Sequence, residues 1–195
     1  MRGFVILLAL MISTQALGGN KSVYTDFDLR TCKQLSPETS GEDGESSGVI
    51  ECRGLKGLPV TFAEGDLRSF LAFGKNGEQH CAFHQTFGGF NSTSNKIEWR
   101  LKNGKPVATI VRWTVSYDPA DSTKSKTWLV VTKLDKGNSC HMGYVEGGFP
   151  KANQKARDLA DAWAEGFICK TGKTLSFANA GTVTDGMASS GGCER

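Results

Sequence analysis

The feature that most constrains this chain is a run of strict alternation over residues 96–117. Ile97, Trp99 and Leu101 alternate with Lys96, Glu98, Arg100 and Lys102, and Val107, Thr109, Val111, Trp113 and Val115 alternate after Asn103-Gly104. A period of two means a strand with one apolar face, and Asn-Gly between two such runs means a hairpin. A two-residue turn would set Trp99 opposite Ala108 and put Val107 and Val111 on the face of Arg100 and Lys96. A three-residue loop over 102–104, with Gly104 left-handed, sets Trp99 opposite Val107 and Ile97 opposite Thr109. A one-residue slip turns every side chain over, and of these two registers only the second matches the apolar faces, so it is the one expected.

The remaining segments supply further β elements and one helix. Residues 59–63 and 68–73 are short and rich in Val, Phe and Leu, and Glu64-Gly65-Asp66 separates them as a turn. Residues 127–134 are apolar on both alternating sets, which predicts a central strand, and 139–145 follow as the next. Two short strands carry Cys32 and Cys52, with the polar stretch 36–48 looping between them. Residues 74–94 lack periodicity and read as a long loop, and 118–126 as a polar one. From 151 to 167 the period changes: Ala152, Ala156, Leu159, Ala160, Trp163 and Phe167 recur at three and four, which predicts an amphipathic helix started near Pro150. A short strand at 174–177 is the last element. The fold expected is α+β: an antiparallel sheet of about seven strands, disulfide-stapled, with one late helix packed on it. There is no convincing internal repeat.

The N-terminus has the layout of a secretory signal: Met1 and Arg2, an apolar run at 4–12, then small and polar residues to Gly18. The run is half of the roughly 20 residues a membrane-spanning helix needs, and no later segment approaches that length. Ala16 and Gly18 place the cut after Gly18, with a cut after Ala16 as the alternative; no cysteine follows either, which speaks against a lipid-modified terminus. The expected organisation is a signal peptide at 1–18, one domain at 19–178 and a flexible Gly/Ser-rich tail at 179–195. Without the leader, 22 basic residues face 20 acidic ones. So small a net charge, with no dense basic run, gives no reason to expect nucleic acid or an anionic membrane as partner.

All six cysteines, Cys32, Cys52, Cys81, Cys140, Cys169 and Cys193, follow the leader, and in an exported chain they read as a disulfide framework. Spacing alone leaves fifteen pairings open.

Several stretches taken together resemble a group of small exported proteins of alphaproteobacteria. They are Tyr24-Thr25-Asp26-Phe27-Asp28-Leu29 with Cys32, Glu51-Cys52 with 54–66, Ile97-Glu98-Trp99-Arg100-Leu101, Val130-Val131-Thr132-Lys133-Leu134, Ser139-Cys140-His141 and the 156–169 helix. The resemblance covers most of the chain after the leader. It implies a periplasmic location and a shared fold, and it supplies no activity. It also implies a framework of Cys32 with Cys52 and Cys140 with Cys169, to which Cys81 with Cys193 is an added pair. Loops of 20 and 29 residues would then each contribute roughly 3 to 4 kcal/mol in the chain-entropy model. Small periplasmic lysozyme inhibitors are comparable in size, but the Ser-Gly-x-x-Tyr loop of one of their families has no counterpart here.

Candidate chemistry is sparse. His80-Cys81-Ala82-Phe83-His84 places a thiol and two imidazoles within five residues, a spacing that could bind zinc or form a Cys-His pair. No second tight ligand group accompanies it, and an oxidising compartment makes Cys81 half of a disulfide, so no metal or cofactor is expected. His141, beside Cys140 on a strand, reads as a satisfied or solvated imidazole with no acid or nucleophile tied to it. Glu64 and Asp66 read as turn residues rather than a glycosidase pair. Trp99, Trp113, Trp128 and Trp163 read as core. The chain has no Gly-x-Ser-x-Gly elbow, phosphate loop, dinucleotide fingerprint or His-Glu-x-x-His. The function expected is a non-catalytic periplasmic binding protein for a protein or envelope component. The alternatives are a small envelope hydrolase or thiol/metal enzyme using the His80, Cys81 and His84 loop, with or without His141, and a structural stress-related protein.

Overall fold

The computed structural model describes residues 20–36, 39–40, 46–118, 120–121, 123–180 and 193. The leader assigned to 1–18 and nearly all of the 179–195 tail lie outside them. The strands are β1 (Lys21–Asp26), β2 (Lys33–Gln34), β3 (Thr39–Ser40), β4 (Ser46–Ser47), β5 (Val49–Arg53), β6 (Pro59–Gly65), β7 (Arg68–Phe73), β8 (Asn91–Lys102), β9 (Lys105–Ser116), β10 (Ser125–Asp135), β11 (Asn138–Glu146) and β12 (Leu175–Phe177). A four-residue helix α1 (Cys81–His84) precedes β8, and α2 (Ala152–Trp163) lies between β11 and β12.

These strands form two main sheets rather than one of about seven strands. The larger runs β1-β8-β9-β10-β11-β12, the smaller β2-β5-β6-β7, and β3 pairs with β4 inside the stretch expected to be a loop. All pairings are antiparallel except β11 with β12, which need the α2 crossover between them. The alternation of β8 to β11 explains the layering. Ile97, Trp99, Leu101, Val111, Trp113, Val115, Trp128 and Val130 project from one face and meet Val60, Phe62, Leu71, Phe73 and Phe87 from the smaller sheet and its connection. From the opposite face Ala108, Ile110, Leu129, Val131 and Met142 meet Ala152, Ala156, Leu159 and Ala160 of α2. β10 lies between β9 and β11 and is buried on both faces, in keeping with its doubly apolar pattern.

The hairpin adopts neither register weighed above. Asn103 and Gly104 both have positive φ (50° and 75°), so the turn holds two residues, and a bulge opposite Arg100-Leu101 then shifts the ladder. Trp99 faces Thr109 and Ile97 faces Val111. The bulge restores the apolar faces that a plain two-residue turn would invert. At the β6–β7 turn it is Asp66 and Leu67 that take left-handed conformations, at φ 51° and 55°, and Asp66 ion-pairs with Arg68.

Three disulfides join Cys32 to Cys52, Cys81 to Cys193 and Cys140 to Cys169. Among the described residues no helix is long and apolar enough to cross a membrane. Residues 74–94 are not wholly a loop, since they contain a 3-10 turn at Gly77–Gln79, α1 and the start of β8. Trp99, Trp113 and Trp128 are core, but Trp163 is 44% exposed: it shares the apolar stripe of α2 with Leu159 and Ala160, yet as the last helical residue it does not join the core that they enter.

Candidate functional site

The histidine and cysteine cluster is built into the structure's interior. His80 is buried, with Nε2 donating to the carbonyl of Lys75 (2.9 Å) and Nδ1 3.0 Å from Ser139 Oγ. Ser139 Oγ in turn accepts from the Phe73 N–H at 3.1 Å, so the neutral ring, taking a proton bond from Ser139, links β7 to β11. Burial lowers the His80 pKa, against backbone hydrogen bonds that raise it. Cys81 is buried and bonded to Cys193, its N–H donating to Asn138 Oδ1 (2.9 Å), so it offers no thiolate. His84 is exposed and turned elsewhere, with Nε2 on the Glu78 carbonyl at 2.9 Å.

His141 is 2% exposed rather than solvated. The bulge at Val131/Thr132 sends its ring into the core between the sheets, where it lies edge-on to Trp113 and Tyr144 and bonds the Tyr144 hydroxyl at 3.0 Å. Burial drives its pKa down to about 3 and raises that of Tyr144. The four candidate residues are thus directed to four different sets of partners. Among the described residues no group of three or more His, Cys, Asp or Glu side chains could hold a metal ion.

The other charged constellation lies on the opposite face of the large sheet, under α2. Asn153, Arg157, Asp161 and Glu165 recur every four residues and form one stripe. Arg157 bonds Glu98 (Nε to Oε1, 2.6 Å), Asp161 takes a bidentate grip from Arg100 (2.9 and 2.5 Å), and Glu165 accepts from Lys102 at 2.6 Å. Four helical residues advance about 6 Å and two strand residues about 6.8 Å, which keeps these rungs in step. Ser22 of β1 completes the network by donating to Glu98 and accepting from Arg100 at 2.5 Å.

The fourth rung differs. β8 bulges between Thr93 and Ile97, and Lys96 pairs with Asp26 (2.9 Å) instead of with the helix. Arg112 of β9 faces Asn153 in its place, donating over 3.3 Å to Oδ1 and over 3.4 Å to Thr127 Oγ1. A Cβ on Gly147 would lie 2.0 Å from Thr127 Oγ1 and 3.1 Å from Arg112 Nη1, so only glycine fits beside the guanidinium. No carboxylate among the described residues pairs with Arg112.

This rung opens into a groove of about 350 Å³ between β1, β8 and the start of α2. Tyr24, Lys96, Arg112 and Asn153 line it over a floor of Ile110 and Leu129. A second depression, of about 610 Å³, lies over residues 26–30, where Arg30 is tied to Asp28 at 2.7 Å and holds that carboxyl down to about 2. Sequence reading placed no function at Arg112, which occupies an ordinary polar slot of an alternating strand. Comparison with protein-family models, with curated proteins and with solved structures gives no match.

Proposed function

We propose that this chain is a non-catalytic binding domain that works outside the cytoplasm, in a compartment oxidising enough to keep its disulfides formed. The observation that carries the reading is the engagement of the groups that could have done chemistry: His80 and His141 are buried and bonded, and the Cys81 sulfur is in a disulfide. A general base or nucleophile must reach its substrate to act. The open groove beside α2 offers instead the cations Lys96 and Arg112, amides and an apolar floor, and its one carboxylate, Glu98, is taken up by Arg157 and Ser22.

The membership in the exported alphaproteobacterial group and the leader at 1–18 are parts of the same proposal. The test is a search for turnover by the purified processed protein on ester, amide, phosphoester and glycoside probes. Turnover abolished by a single substitution, for example His84→Gln, would overturn the reading. Absence of turnover together with an unreactive thiol count under native conditions is the expected result.

A further inference from the structure

We infer that the groove at the start of α2 is a binding site for a small organic monocarboxylate, with the carboxylate on Arg112 and Asn153 and the apolar body against Tyr24, Ile110 and Leu129. The inference rests on the binding reading above and names the ligand class of the same site.

Charge bookkeeping along the ladder carries it. Three successive rungs each match a cation with a carboxylate: Glu98 with Arg157, Arg100 with Asp161, Lys102 with Glu165. Lys96, which also borders the groove, is matched by Asp26. At the fourth rung a guanidinium meets only neutral partners, the Asn153 amide oxygen at 3.3 Å and the Thr127 hydroxyl at 3.4 Å, long for hydrogen bonds to a charged donor. One positive charge is therefore left at the groove, on the side chain whose planar fork suits a carboxylate. Glu98 also borders the groove, so a dianion would be repelled where a monoanion is matched. Asn153 is half of the recognition, since its amide can keep its oxygen on Arg112 while its nitrogen donates to the ligand. The floor is apolar and Tyr24 is half exposed, which gives a carbon skeleton a surface to cover.

The experiment is a two-dimensional 15N–1H NMR titration of the processed protein with benzoate as probe, and with benzyl alcohol and inorganic phosphate as separate arms. Benzoate is expected to shift the amides of residues 94–98, 110–112 and 153 saturably, with a dissociation constant on the order of 1 mM or tighter. Benzyl alcohol and phosphate are expected to bind at least tenfold more weakly. Arg112→Gln should abolish the saturable shift. Asn153→Asp, which supplies the missing carboxylate and leaves Arg112 in place, should weaken benzoate at least tenfold while the protein stays folded.

Equal response to benzyl alcohol, equal response to phosphate, no saturable shift in the groove, or undiminished affinity in Asn153→Asp would each overturn the inference. None of these would touch the reading of a non-catalytic domain, which fails only on turnover.

Discussion

Removing Asp161 should destabilise this protein far more than removing Glu165, although both side chains bind a β8 cation, one from the last turn of α2 and the other from the turn that follows it. The Arg100 side chain is only 7% exposed and Asp161 23%, while Lys102 and Glu165 are 38% and 64% exposed. Asp161→Ala leaves a guanidinium under the helix with only Ser22 as a described partner. Stranding one member of a fully buried pair costs roughly 3 to 5 kcal/mol. Because Asp161 is partly wetted, water can enter the space it vacates, which brings the expected loss to about 2 to 3 kcal/mol. For a domain of this size that lowers Tm by roughly 5 to 10 °C. Glu165→Ala should cost less than about 0.5 kcal/mol, the ordinary value of an exposed pair. The double variant Arg100→Met with Asp161→Leu should lie within about 1 kcal/mol of the parent, since it removes the desolvated charge along with its partner. Urea melts at pH 7, where two-state behaviour can be checked by fluorescence and circular dichroism, give all three numbers. An Asp161→Ala loss no larger than that of Glu165→Ala would mean that burial of Arg100 does not make it depend on its partner.

Acid should weaken the fold well before carboxylates titrate. His141 is held down to about 3 in the fold against an ordinary 6.5, so between these values the unfolded chain binds the proton that the native one refuses. Its contribution is full above 6.5 and is lost as pH falls toward 3, with a slope approaching about 1.4 kcal/mol per unit, and the lowered His80 adds in the same direction. Urea midpoints measured at pH 6 and pH 5 check this, and a flat profile there would contradict the burial argument. Leu67→Asn should stabilise by about 0.5 kcal/mol in a thermal melt, since Leu67 is 57% exposed and left-handed, a conformation asparagine tolerates better. Opening Cys81–Cys193, which spans 112 residues, should cost about 1.5 kcal/mol more than opening Cys32–Cys52, which spans 20, when each pair is replaced by alanine. Equal losses would mean that chain entropy is not what separates them.

The sequence made elements legible and left their partnerships open. Alternation at 97–101 and 107–115 marked β8 and β9, and the doubly apolar 127–134 marked a central strand. Nothing in a period of two says which sheet lies across the core, so the residues of β6 and β7 were readable as a hairpin and not as part of a second sheet. β1 was missed because a six-residue strand of mixed polarity at a sheet edge has little to bury. The three bulges were invisible for a different reason: each is a register event, set by how faces match once the partner strand is present. The one at Val131/Thr132 sent His141 inward, and the one at Arg100/Leu101 separated the observed hairpin from both of the registers considered.

The charged stripe was the signal most open to being read. Along β8 the signs run minus, plus, plus at Glu98, Arg100 and Lys102; along α2 and the turn after it they run plus, minus, minus at Arg157, Asp161 and Glu165. The matching order, at spacings of two and four, specifies that the helix lies along β8, parallel to it and in step. The same order exposes the groove residue, because one step earlier the helix carries Asn153 where a carboxylate would continue the series. That position lies in the first turn of α2, where a negative charge also gains from the helix dipole. Asn153→Asp should therefore stabilise the free protein by about 1 kcal/mol, from the dipole and a half-exposed pair together. A substitution that strengthens the fold and weakens benzoate would show stability and binding in opposition at one residue, the trade-off expected where a site holds an unmatched charge for its ligand. If the same substitution leaves the fold no more stable, solvent already screens the Arg112 charge, and the ladder ends at Arg157 rather than at a vacant rung.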